Sequence, residues 1–248
     1  MVLAPLAKAD LFLNELIGFG AGGAEDDEVE VDTFPALSNV AARYCAGFGV
    51  TKNGSNVISL VNDLSGNARH LDTAVGSPTW AASSINSKPV FRFSGAGQCL
   101  YDTFTLAQPH QIWVVFKANT WTNTDALVVG VANDSGSHAI KQSGSTPQIK
   151  HNAGTATGNT VSPTLGTAYL IGSFFSGASS KQSLNDAAAV GPVDIGALGI
   201  DQLQIGGESD GTNCIDGDIA EVVVFSAEVT GADLTSLKSY FNTRYDLW

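Results

Sequence analysis

The sequence predicts an all-β chain: two packed antiparallel sheets forming a sandwich, with a short helix at either end. Three observations carry this. Short runs of β-formers recur from about Phe34 onward, most of them separated by turn-forming residues. Hydrophobic residues make up 44% of the chain, enough for a sizeable core, while charged residues make up only 15%, fewer than exposed helical faces usually carry. One run, residues 112–116, is apolar at every position, as a strand covered on both faces must be.

The first element in chain order is an amphipathic helical arm over residues 1–20. Pro5 stands where a first-turn proline is tolerated, and Leu6, Ala9, Leu13, Leu16 and Ile17 share one face at three- and four-residue spacing. Gly18 and Gly20 stop it. A helix this short is marginal alone in water, so its apolar face needs a partner. Leu6, Leu13, Leu16 and Ile17 are therefore expected docking residues, against either the chain's own sandwich or a neighbouring subunit. Residues 21–33 read as a linker: glycine-rich first, then acidic at Glu25, Asp26, Asp27, Glu28, Glu30 and Asp32, whose mutual repulsion favours an extended, solvated segment.

Residues 34–248 are expected to form the sandwich. Strands are predicted at 57–61, 89–93, 112–116, 127–131, 139–141, 148–150, 169–175, 202–205 and 219–225. Asn53-Gly54, Ser65-Gly66-Asn67, Asp134-Ser135-Gly136, Gly206-Gly207 and Asp210-Gly211 supply turns between them. A closing helix begins at Thr230 as its cap, with Asp233 in the first turn and Leu234, Leu237, Tyr240 and Phe241 as its apolar stripe.

Charge and cysteine content narrow the function classes. The formal net charge is -12, with 24 acidic against 12 basic side chains, so a phosphate backbone gains nothing by approaching; nucleic acid is not an expected partner. No run approaches the roughly 20 apolar residues needed to cross a bilayer, so no membrane association is expected. The 11–17 stretch is interrupted by Asn14 and Glu15 and preceded by Lys8 alone, a poor match to a signal peptide. Cys45, Cys99 and Cys214 are odd in number and widely spaced, without zinc-ligand spacing.

Three segments resemble laminin-G-like members of the concanavalin A-like lectin/glucanase superfamily. They are Asn62-Asp-Leu-Ser-Gly-Asn-Ala-Arg-His-Leu71; Lys88-Pro-Val-Phe-Arg-Phe-Ser-Gly95 with Ile112-Trp-Val-Val-Phe-Lys117; and Leu203-Gln-Ile-Gly-Gly207 with Gly217-Asp-Ile-Ala-Glu-Val-Val-Val-Phe225 and the helix after it. The resemblance spans roughly residues 50–248 and implies a jelly-roll order for the two sheets. That superfamily holds lectins, glycosidases, adhesion modules and virus structural domains, so function has to be argued from sites.

Glycosidases of the superfamily carry acids in a Glu-x-Asp-x-Glu arrangement on one strand, because the chemistry needs carboxylates on both sides of the glycosidic bond. Glu28-Val-Glu-Val-Asp32 has the alternation but the wrong order and lies ahead of the sandwich. Asp216 and Asp218 share strand parity, whereas Glu221 is out of step with them. His70, His110, His138 and His151 lack a nucleophile elbow and are assigned no role. No catalytic residue and no metal ligand is therefore assigned. Calcium is the one cofactor the loops suit, through Asp63, Asn67, Asp134, Asp210, Asn213 and Asp216, whose simpler role is turn formation. Sugar binding needs an exposed aromatic beside polar groups; Trp121 with Asn123 and Asp125 is the candidate, and a buried anchor is the competing role for Trp121. Trp80 and Trp113 are expected in the core.

The expectation is thus a non-enzymatic structural or interaction protein. Its layout resembles virion components of tailed bacteriophages, such as capsid decoration, fibre or tail appendages. Its partners would be other virion subunits or itself, as a homo-oligomer expected to be a trimer. The alternative is a carbohydrate-binding module that adheres to host glycans; a glycosidase is the third reading.

Overall fold

Two large antiparallel sheets and one α-helix, with a small hairpin and a single 3-10 turn, make up the regular structure of the described residues, 30–132, 138–154 and 158–248, in the computed structural model. Asp32–Trp248 form one compact unit. The predicted arm with Leu6, Leu13, Leu16 and Ile17, most of the linker, and Asp134 lie outside the described residues.

The eight-stranded sheet runs in the order β15 (Val190–Val193), β14 (Ser180–Leu184), β13 (Ala168–Phe175), β8 (His110–Thr120), β17 (Asp216–Phe225), β6 (Lys88–Ser94) and β5 (Thr79–Ile85). β1 (Val40–Cys45) shares the β6 side of β17: β6 pairs with residues 216–219 and β1 with residues 221–225. The seven-stranded sheet runs β12 (Thr160–Val161), β11 (Ile149–Ala153), β10 (His138–Gln142), β9 (Ala126–Val129), β16 (Leu203–Ile205), β7 (Cys99–Asp102) and β4 (Thr73–Val75). β2 (Val50–Lys52) and β3 (Ile58–Val61) make a separate hairpin. Asn53 shapes that hairpin's turn, its Oδ1 accepting from the amides of Ser55 and Val57.

Alternation along these strands produces the layers. Phe91, Phe93, Ile112, Val114, Phe116, Val222 and Val224 point inward and meet Leu100, Leu127, Ile140, Ile149, Leu203 and Ile205 of the other sheet in one core. The odd-facing partners Trp113, Val115, Val223 and Phe225 point outward, where helix α1 (Gly231–Tyr245) covers them with Leu237, Tyr240, Phe241 and Tyr245. That is why residues 112–116 are apolar throughout: one face meets a sheet and the other a helix. Each such side chain contributes about 1.5–3 kcal/mol by leaving water.

All nine sequence-predicted strands coincide with or overlap observed ones, and α1 lies where its stripe places it. Thr230 does occupy the N-cap position, but its hydroxyl makes no capping bond. β1, β2, β4, β5, β7, β12, β14 and β15 have no counterpart among the predicted strands; β2, β4, β7 and β12 are two to four residues long, and β5, β14 and β15 lie at or next to a sheet edge with little hydrophobic alternation.

A bulge in β17 corrects the predicted parity of its acids. The register slips between Ile219 and Glu221, and the extra residue turns Glu221 onto the same outer face as Val223 and Asp218. Glu221 is fully buried there, under α1. It accepts from Arg43 Nε at 2.7 Å, from the Tyr240 hydroxyl at 2.9 Å and from the Tyr245 hydroxyl at 2.8 Å. Arg43 in turn donates to both oxygens of Asp32, at 2.6 and 2.9 Å, and its guanidinium lies over the Phe34 ring. Asp32, read from sequence as a solvated linker acid, is thus part of the sandwich. Burial, reinforced by the Glu221 charge, raises the Tyr240 and Tyr245 hydroxyls above the ordinary tyrosine range, so both remain donors. Glu221→Ala removes one of the two carboxylates that hold Arg43 and takes the shared acceptor from the Tyr240 and Tyr245 hydroxyls, and a loss of about 3–5 kcal/mol in unfolding free energy is expected by urea denaturation.

Candidate functional site

Helix α1 buries one face and leaves the other beside a groove. Thr235, Lys238, Ser239 and Asn242 follow helical spacing along its outer flank, away from the Leu237, Tyr240 and Phe241 stripe. The helix ends at Asp246, whose left-handed backbone (φ 50, ψ 61) turns the chain back on itself; aspartate tolerates that conformation better than most residues. Asn242 then holds the returning segment. Its Oδ1 accepts from the amides of Leu247 and Trp248, both at 2.9 Å, and its Nδ2 donates to the Trp248 carbonyl at 2.9 Å. Asn185 adds a bond from Nδ2 to the Leu247 carbonyl at 3.0 Å.

This fastening sets Trp248 at the mouth of a groove of about 560 Å³ while leaving 43% of the residue exposed. The groove is walled by Asp186, Leu234, Thr235, Lys238, Ser239 and Asn242. A second cleft of about 250 Å³ adjoins it through shared Asp186, Leu234 and Lys238. The floor of that cleft includes Trp113 and Phe174, with Ala187, Ala188 and Ala189 beside them. Trp113 is 2% exposed, its benzo edge packed against Gly172, where any β-carbon would collide with the ring. Two ion pairs bridge the edge of the eight-stranded sheet to the α1 region: Lys181 to Glu228 at 2.7 Å, and Lys238 to Asp186 at 3.1 Å.

An aromatic face beside hydroxyl, amide and carboxylate groups in a concave, polar site is an arrangement that holds a sugar ring. The sequence-predicted cluster is built differently. Trp121, Asn123 and Asp125 do come together, but as a turn closed on itself: the buried Asp125 carboxylate accepts from the amides of Thr122 and Asn123, at 2.9 and 3.5 Å. Trp121 packs on the inter-sheet core with its indole N–H inside, an anchor, and only Asn123 is exposed. Trp80 and Trp113 both pack on hydrophobic cores, as expected. Trp248 escaped notice because its exposure depends on Asp246 and Asn242. Its sole sequence signal is an aromatic two residues beyond a helix-ending Asp.

Of the loop residues considered for calcium, those among the described residues are engaged within the chain. Asp63 accepts from the amides of Arg43, Ser65 and Arg69, and Asn67 Nδ2 donates to the Val40 and Ala41 carbonyls, so this turn braces β1. Asp210 accepts from Thr212; Asn213 bonds Glu208 and Thr124; Asp216 accepts from Asn119 and Thr120. Among the described residues no cluster of three or more His, Cys, Asp or Glu side chains is placed to hold a metal ion. No helix among them is long and apolar enough to cross a membrane.

Similar folds occur in carbohydrate-active chains. The Trypanosoma rangeli sialidase solved with sialic acid superposes with a TM-score of 0.56 at 12% identity, over 82% of this chain and 33% of the sialidase. A GH54 α-L-arabinofuranosidase superposes with a TM-score of 0.60 at 13% identity, over 76% of this chain and 51% of the enzyme. The likeness is one of fold. This chain spans about a third of the first and half of the second. No protein-family model matches the chain, and no curated protein matches it by sequence. The expectation of a non-enzymatic protein is corrected by these likenesses: the fold is shared with chains that cleave glycosidic bonds, so missing acid patterns give no ground for setting catalysis aside.

Three of the four histidines, assigned no role from the sequence, lie on β8, β10 and β11. His110, His138 and His151 are buried between the sheets around Phe175, with His110 Nε2 and His138 Nε2 2.9 Å apart. Burial holds His110 and His151 down at about 4 and His138 well below the usual 6.5. An unfolded chain takes up protons on His110 and His151 below about pH 6.5 while the folded chain does not until about 4, so their stabilisation is complete above that window and is lost as the pH falls through it. The urea midpoint is expected to fall between pH 7 and pH 4.5, with a shallower slope in His151→Gln.

Proposed function

We propose that this chain recognises carbohydrate, as a concanavalin A-like jelly-roll domain whose binding site is the groove between Trp248 and helix α1. The observation that carries the proposal is an exposed tryptophan that lines a polar groove and whose backbone is hydrogen-bonded to Asn242. Aromatic side chains bring large contact area at low entropic cost, and Asn242 already holds the Trp248 backbone in place. The fold shared with parts of a sialidase and an arabinofuranosidase supports the same reading. Recognition of a glycan is the step a binding module and a glycosidase have in common, and the proposal commits to that step.

Display on a larger assembly, with a tailed-phage virion as the setting the sequence resemblance implies, would rest on Leu6, Leu13, Leu16 and Ile17 as the attachment segment. Host-surface glycans would then be the target of the displayed groove.

Binding to a glycan array, followed by calorimetry on the hits, tests the groove. Trp248→Ala is expected to weaken binding at least tenfold with little change in thermal stability, because that ring is exposed. Trp121→Ala should do the reverse, lowering stability by about 3–5 kcal/mol or less for a half-buried ring while sparing affinity. Equal affinity in parent and Trp248→Ala would place the ligand elsewhere.

A further inference from the structure

The geometry points to the class of glycan: a neutral oligosaccharide of two or more rings, with acidic sugars disfavoured. This rests on the proposed recognition of carbohydrate at the Trp248 groove and specifies what that groove selects. Length comes from continuity. The larger groove and the smaller cleft lie side by side, sharing Asp186, Leu234 and Lys238 as wall residues, so a ligand that stacks on Trp248 and also fills the aromatic-floored cleft has to extend past those residues.

Charge selection comes from the ion pairs. Both lysines that line the two compartments already face a carboxylate, Lys238 with Asp186 and Lys181 with Glu228. A ligand carboxylate that reached either ammonium group would therefore lie beside the carboxylate that group already holds. Asp186 or Glu228 then faces the incoming anion, and like charges brought together in a cleft disfavour the wrong partner strongly. Asp186 is the more exposed of the two, at 65%, and stands at the junction every extended ligand must cross. The background field has the same sign, since the chain carries a net charge of -12. Neutral hydroxyls meet no such obstacle. They donate to the outer lone pairs of Asp186 and Glu228 and accept from the remaining ammonium protons of Lys181 and Lys238, leaving both pairs intact.

Matched probes test this with the full chain: lacto-N-neotetraose against its sialylated form, and cellotetraose against tetragalacturonate. At least one neutral tetrasaccharide is expected to bind in a Trp248-dependent manner, at least tenfold more tightly than its acidic counterpart and than the free monosaccharide. Asp186→Asn is expected to narrow the gap between neutral and acidic probes. Acidic probes binding as tightly as neutral ones, with the Trp248→Ala loss intact, would overturn the charge selection and leave carbohydrate recognition standing. A monosaccharide binding as tightly as the tetrasaccharides would overturn the length requirement alone. No Trp248-dependent binding by any probe would overturn recognition at this groove, and the inference with it.

Discussion

One buried carboxylate organises the outer layer of this protein. Glu221 sits on the central strand of the eight-stranded sheet with no exposure to solvent, and it is stable there only because Arg43, Tyr240 and Tyr245 converge on it. Those partners come from β1 and α1, and Arg43 carries the connection on to Asp32 and Phe34. Three distant stretches of chain are thereby committed to one arrangement. The Arg43 amide also donates to Asp63, which ties the neighbouring turn to the same point. A one-residue bulge makes this possible, because without it Glu221 would face the inter-sheet core, where no partner waits.

The groove depends on that arrangement. Helix α1 docks through Leu237, Tyr240, Phe241 and Tyr245, and the same docking decides which residues its outer flank presents. Asp186, Lys181 and Glu228 come from strand ends and connections, so the groove's charged rim is set by how the sheet edge meets the helix. The polar cluster that holds the structure and the polar residues that line the groove are therefore separate sets. The first is sealed from water and the second is open to it.

The interior is unusual in holding polar groups on both sides of one sheet. Glu221 and Arg43 lie beneath the helix, while His110, His138 and His151 lie between the sheets. The first group is charged and paired; the second is neutral and rests on aromatic stacking around Phe175. Burial likewise pushes the Cys45 and Cys99 thiols up to about 12, and with Cys214 they are small, unoxidised, buried side chains.

Much of the fold was legible in the sequence. Apolar alternation marked the central strands, turn residues marked their ends, and the stripe of Leu237, Tyr240 and Phe241 marked α1, because these signals are local and repeat at the period of the element. Strands that are short or rich in small and polar residues, such as β4, β14 and β15, were not legible, nor was the buried β1. Neither was the site. Trp121 has the polar neighbours of a sugar platform, yet packing turns it inward; Trp248 has no such neighbours in sequence and gains them from Asn242, Lys238 and Asp186 in space. Glu221 shows the same divide, since residue parity assigns it to one face and a bulge moves it to the other. The sequence by itself therefore determined the layers and the helix that covers them. Only the tertiary structure decided which acid is buried, which tryptophan is exposed and where a groove opens, because each depends on contacts between segments far apart in the chain.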